Sequence, residues 1–456
     1  MILPRCRPGS TSARLLASIA ILMLLPCLAW QQNPHEPPTG LPGEKQVVMK
    51  PNAPAWPPSE FLIGQWCSPP EPYITLEQYR RMAEAGLTVV LPPCEGECTV
   101  ARNKKILDLA HKTGMHAVIQ DPRMPMSVTG TPGADAALKA IVNDYRRSQA
   151  LLGYFITDEP GADKFAGLAE VVAELRKLDP EHPAYINLFP NYASTDLTAK
   201  PSQLNTDTYQ EYVDRFVKTV HPAMISLDHY QMRKGGDRPG FFGNLAVIQR
   251  AAVSTTPTTP FWNIVQSLNF EDCRAVNEDE LRFLAMQTLA FGGQGLLYFT
   301  YWQPSPSSGS TYDYCVMKRD GTPGPLYEPL KRVNRDLKRL GRWLLGTEAI
   351  RTFETGTIPP DGHGQSNDLP VSATGDANLT IGAFRARGGY FMAVVANRDY
   401  KSGTEAVIRA DAGKREIQTF DLATNKWKPL TGTVDADGIT TLKIQLSPAA
   451  AVLIRW

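Results

Sequence analysis

The sequence predicts an α/β architecture, a TIM-type (β/α)8 barrel over residues 61–346 followed by an antiparallel β-sandwich over residues 350–456. Three observations predict it. Short apolar, β-branched or aromatic runs alternate eight times with amphipathic stretches of helical length, over roughly the size of one such barrel. No Gly-rich phosphate loop follows any of these runs, which disfavours an open, doubly wound sheet. Beyond Leu345 the helical patterns stop, and alternating runs separated by Gly, Asp and Asn turns take over.

The chain begins with a segment of a different kind. Arg5, Arg7 and Arg14 precede an apolar run from Leu15 to Leu25, then Pro26 and the stretch Cys27-Leu28-Ala29. A basic start, a short apolar core and a small-residue exit predict a secretory signal peptide over residues 1–29. The run falls short of the roughly 20 apolar residues that a bilayer span needs. Pro26 argues against a lipidated Cys27. The protein is therefore expected to be secreted or periplasmic, with no membrane partner after cleavage. Residues 30–60 are Pro-rich and lack periodicity, as a tether or extended wrap would be.

The strands of the barrel are read at FLIGQW, TVVLPP, HAVIQD and GYFITDEP, then at PAYINLFP, MISLDHY, FWNIVQS and GLLYFTYW. Helical patterns such as LEQYRRMAEAG, FAGLAEVVAELRKLD and EPLKRVNRDLKRLGRWL lie between or after them, and several end in Gly, as a left-handed C-cap requires. The sandwich is read from NLTIGAF, YFMAVVANR, EAVIRA, EIQTFDL, TTLKIQLS and AAVLIRW.

Composition excludes several classes of function. Lys plus Arg number 47 against 46 for Asp plus Glu, without a basic block, so nucleic acid is not an expected partner. Neither a G-x-S-x-G elbow, a Walker loop nor an H-E-x-x-H run is present, and the seven histidines are scattered. No cofactor or metal is expected. Five cysteines lie beyond the signal segment: Cys67, Cys94, Cys98, Cys273 and Cys315. In an oxidising compartment these can pair, with the odd one left free, and Cys94-Glu-Gly-Glu-Cys98 reads as a small loop staple.

Active sites of such barrels form at the carboxyl ends of the strands. The polar residues ending each strand are then the candidates. The third strand ends in Asp121, followed by Arg123; the fourth in Asp158-Glu159-Pro160; the fifth leads to Asn187 and Asn191. The sixth ends in Asp228-His229-Tyr230, the seventh in Gln266, the eighth in Tyr301 and Trp302. Convergent carboxylates beside aromatic rings suit glycoside hydrolysis, in which one acid protonates the leaving oxygen, a second carboxylate faces the oxocarbenium-like centre, and rings stack on the sugar. Asp121 and Arg123 also read as a structural pair, and His229 as a wall or core residue.

These strand tips resemble those of the clan A glycoside hydrolases and their relatives. In GYFITDEP, Glu159 stands where that clan has its acid/base glutamate, with Asp158 in place of the preceding Asn. Tyr230 resembles the sixth-strand tyrosine that contacts the nucleophile, and Trp302 the eighth-strand tryptophan that floors the sugar site. The resemblance implies an O-glycosyl hydrolase acting on an oligo- or polysaccharide. It departs at the seventh strand, where Gln266 stands in the place of the nucleophilic glutamate, and a neutral amide cannot form a glycosyl ester. Three arrangements remain open. Asp228 supplies the second carboxylate; Asp158-Glu159 works as a substrate-assisted pair, as in N-acetylhexosaminidases; or the barrel binds glycans without cleaving them. The expected catalytic residues are Glu159, Asp228 and Asp158, and the expected substrate ligands are Tyr230, Trp302, Asp121, Asn187 and Gln266.

Overall fold

The computed structural model describes residues 59–195, 202–306 and 312–456. The predicted signal segment and nearly all of the Pro-rich segment lie outside the described residues.

Eight parallel strands close into a barrel in sequence order. They are β1 (Leu62–Gln65), β2 (Val89–Val90), β3 (His116–Gln120) and β4 (Leu151–Asp158), then β5 (Ala184–Leu188), β6 (Ile225–Asp228), β7 (Phe261–Gln266) and β8 (Gly295–Phe299). A helix follows each strand, from α1 (Leu76–Glu84) after β1 to α8 (Tyr327–Gly341) after β8. Between these lie α2 (Val100–Lys112), α3 (Ala134–Tyr145), α4 (Phe165–Leu178), α5 (Tyr209–Val220), α6 (Phe241–Val253) and α7 (Glu278–Ala290). Local chemistry fixes several helix starts. Thr75, Thr99 and Thr208 each accept a hydrogen bond from a backbone N–H of the first turn, and Asn277 with Glu280 forms a reciprocal capping box.

Inward-facing rings pack the barrel interior. Trp66 contacts Phe155 and Tyr185 at centroid separations of 5.8 and 6.5 Å, and Tyr185 contacts Trp262 at 5.9 Å. Gly295, paired with Trp262 across β7 and β8, makes room for that indole; a Cβ there would lie 2.5 Å from Trp262 Cδ1. These rings form a floor, and the polar strand tips stand above it.

The C-terminal region folds as two antiparallel sheets, one of four strands and one of six, consistent with the expected β-sandwich. The six-stranded sheet includes the strands Glu348–Glu354, Leu379–Arg385 and Phe391–Asn397. Its seat on the barrel is close: the Thr352 hydroxyl donates to Ala290 O at the end of α7, and a Cβ on Gly382 would collide with that same carbonyl oxygen. Phe384 and Met392 share one buried core with the barrel.

The loop staple expected between Cys94 and Cys98 does not form. Cys94 is bonded to Cys67 instead, across 27 residues, so the bridge ties the end of β1 to the loop after β2. These two cysteines leave adjacent parallel strands, whose spacing brings their Cα atoms to 4.7 Å.

Candidate active site

A β-bulge sets up the site. The register of β4 against β5 shifts between Phe155 and Thr157, so Phe155 pairs with Tyr185 and Asp158 with Asn187. Strict alternation would put Phe155 and Asp158 on opposite faces; the extra residue lets both face the interior. Glu159 extends the ladder by one bond, its N–H donating to Asn187 O at 2.8 Å, and then turns into the left-handed region with φ 47°. A non-glycine residue there costs on the order of 1–3 kcal/mol and marks a position that the surroundings impose. The turn brings two consecutive acidic side chains into one space.

Asn187 joins the acids from below. Its amide donates to Asp158 Oδ1 at 3.1 Å and to Asp228 Oδ1 at 2.9 Å. The orientation of the amide is fixed by Ser226 Oγ, which donates to Asn187 Oδ1 at 3.0 Å and is itself 2.8 Å from the Tyr185 hydroxyl. Asn187, expected as a substrate ligand, thus spends its amide on holding two carboxylates at a common height. The Glu159 and Asp228 carboxyl groups line the same small cleft. Carboxyl groups crowded together and buried in this way disfavour full ionisation of the set.

The electrostatics agree with that geometry. Burial, then the charges of Asp228 and Asp158, push the Glu159 carboxyl up to about 9. Burial and the charge of Asp158 raise Asp228 to about 7, against the Asn187 amide, which favours its ionised form. Asp158 rises less, to about 6, by burial alone opposed by Asn187. Crowding and burial thus favour a proton in the cluster at neutral pH, and Glu159, whose carboxyl is raised furthest, is its favoured holder.

The cleft containing these four polar side chains is walled by Trp66, Tyr230, Ile264 and Phe299. Tyr230 is held edge-on by Phe270 and leans on Phe299, at 5.2 and 5.1 Å between centroids. Trp66 and Phe299 escape a search for polar strand tips, although both stand at the ends of their strands; counting aromatic tips as well would have found them.

Three expected substrate ligands lie elsewhere. Gln266 is fully buried, and its amide is spent: Oε1 accepts from Met232 N at 2.9 Å, while Nε2 donates to Met232 O at 3.0 Å and Arg274 O at 2.9 Å. It clasps the loops after β6 and β7 together, and the cleft contact from β7 is the apolar Ile264. Trp302 is buried against Tyr73, 4.9 Å between centroids, past the end of β8. Asp121 has both oxygens engaged, by Arg123 at 2.9 and 2.8 Å and by the Tyr145 hydroxyl at 2.7 Å. That arrangement is the structural pair its spacing allowed. His229 is buried between Tyr192 and Phe241, and burial lowers its imidazole to about 3, so it stays neutral.

A closed parallel barrel with acids at the tips of β4 and β6 defines the class of fold, and known structures share it. Over 87% of this chain and 98% of the other, the fold is similar to Gan42B, a GH42 β-galactosidase from G. stearothermophilus, at 10% identity and a TM-score of 0.54. A family 39 glycoside hydrolase from Bacteroides cellulosilyticus WH2 matches at 12% identity over 87% of this chain and 81% of that one, with a TM-score of 0.47. A β-galactosidase from Rahnella sp. R3 matches at 13% identity and a TM-score of 0.47, over 63% of this chain but only 57% of that longer protein. No family model matches the sequence. No curated protein matches it either.

Proposed function

We propose that this protein is an O-glycosyl hydrolase in which Glu159 is the general acid and Asp228 the second carboxylate. The observation that carries the reading is the convergence of the Glu159, Asp228 and Asp158 carboxyl groups in one aromatic-walled cleft at the strand tips. A proton held at neutral pH beside an ionisable partner is what cleavage of a glycosidic bond asks of an acid. A glycosidic oxygen entering the cleft would take up the Glu159 proton. Asp228, fixed by Asn187, would face the anomeric carbon from β6. Asp158 lends the negative charge that keeps Glu159 protonated. The likeness in fold to Gan42B supports the class of reaction and leaves the sugar open.

Export also belongs to this proposal. The Cys67–Cys94 bond fits an oxidising compartment, and the Arg-led apolar run at the start of the chain fits a route to it.

A second reading, a glycan-binding barrel without turnover, is favoured by one observation: the β7 position offers no carboxylate, because Gln266 is committed to Met232 and Arg274. Assay of the mature protein on a panel of aryl glycosides and oligosaccharides, beside Glu159→Gln, separates the two. Hydrolysis that falls by about 10²–10⁴ in the variant, the usual contribution of a general acid, supports the proposal. Glycan binding without turnover in the unmodified protein supports the second reading.

A further inference from the structure

We infer that Arg238, stacked on Tyr192 at the rim of the carboxylate cleft, receives a negatively charged substituent of the saccharide, a carboxylate or a sulfate ester. The inference rests on the reading of the cleft as a glycan site.

Arg238 lies in the loop after β6, eight residues beyond Tyr230, and its Nε donates to Tyr230 O at 3.2 Å. Its guanidinium carbon sits 3.9 Å from the ring centroid of Tyr192, a geometry that holds the planar group in one orientation. Tyr192, in the loop after β5, is 37% exposed. The two loops form one rim: Asn191 Nδ2 donates to Gly240 O at 2.8 Å, and Asn191 N donates to Asn244 Oδ1 at 2.7 Å. The charges of Asp228, Arg238 and Glu159 all act on the Tyr192 phenol, so the guanidinium and the acids share its neighbourhood.

The charges around Arg238 are distributed unevenly. Arg233 pairs with Asp272, and Arg274 pairs with Glu280 at 2.7 Å. The acid nearest Arg238 in sequence, Asp237, is drawn the other way. Its carboxylate accepts from Gln231 at 3.3 Å and from the Tyr400 hydroxyl of the C-terminal region at 2.9 Å, and lies 3.6 Å from Arg274. Among the described residues, no hydrogen bond or ion pair reaches the terminal nitrogens of Arg238. A partly buried guanidinium held by its Nε and its face, with its fork unspent, is suited to bidentate capture of an anion. A neutral sugar would leave that fork without a charged partner.

The test uses the full mature chain and matched substrate pairs: aryl glucuronide against glucoside, galacturonide against galactoside, and a 6-sulfated glycoside against its parent. Binding of the same sugars as free oligosaccharides, read by tryptophan fluorescence, is measured in parallel. The charged member should be preferred by about 10- to 100-fold in kcat/KM or affinity, the size of one or two charge-assisted hydrogen bonds. Arg238→Gln should erase that preference, with the loss falling on the charged member. The uronate and sulfate arms tell which anion the rim takes. Equal or better handling of neutral members, or an Arg238→Gln variant that lowers both members alike, would overturn the inference. Arg238-dependent binding of charged sugars without hydrolysis would sustain it while removing the hydrolase reading.

Discussion

Gln266 is where a single side chain decides how the site should be understood. Its amide meets one N–H and two carbonyl oxygens, a set that only a group with both donors and acceptors can satisfy. Gln266→Glu would set a carboxylate against the carbonyls of Met232 and Arg274. We expect this variant to lose about 1–3 kcal/mol in chemical denaturation, the penalty for unpaired buried groups, and to gain no activity. A more active variant would return the catalytic carboxylate to β7. Glu159 supports a second prediction, on stability. Its carboxyl is raised from 4.5 to about 9 in the folded protein, so folding retains a proton that the unfolded chain releases above its ordinary range. That stabilisation is complete below about pH 4, declines as pH rises and is gone once Glu159 ionises above about pH 9. The thermal midpoint of the unmodified protein should therefore fall from pH 5 to pH 9 more steeply than that of Glu159→Gln. His229, lowered to about 3, acts in the opposite sense below about pH 6.5, and comparison of the two proteins cancels it. Parallel curves would mean that Glu159 titrates as an ordinary glutamate.

At the level of elements, the site depends on the β4 bulge and on the floor beneath it. Gly295 is the point at which β8 yields to the Trp262 indole. Gly295→Ala should cost about 1–3 kcal/mol by overpacking, measured by urea unfolding; an unchanged midpoint would show that the floor has slack. The strands and helices of the barrel were legible because periodicity and length separate them, and the polar residues at the tips of β4 and β6 could be picked out by position alone. The bulge could not. Nothing in Gly-Tyr-Phe-Ile-Thr-Asp announces an extra residue at Ile156, and only pairing with β5 exposes it. The destinations of Gln266 and Trp302 were hidden for a related reason: each is set by a loop folding back over the strand tip, through Met232 in one case and Tyr73 in the other. Asp121 and Arg123 were readable as a pair because they stand two residues apart.

Across the whole molecule, the C-terminal sheets do more than cover the barrel. Thr352 and Gly382 seat the six-stranded sheet on the end of α7, while Tyr400 reaches the loop after β6 and donates its hydroxyl to Asp237. The barrel supplies the acids, the loops supply the rim, and the second unit fixes one of those loops. In the proposed reaction Glu159 delivers a proton to the leaving group. A leaving-group series reads that step out, with kcat/KM measured for the unmodified protein and Glu159→Gln on glycosides running from alkyl alcohols to dinitrophenol. A group that departs as a stable anion needs no acid, so the variant should lose about 10²–10⁴ on the alkyl end and far less on the dinitrophenyl end. An equal loss along the whole series, or none, would contradict the assignment of Glu159 as the acid.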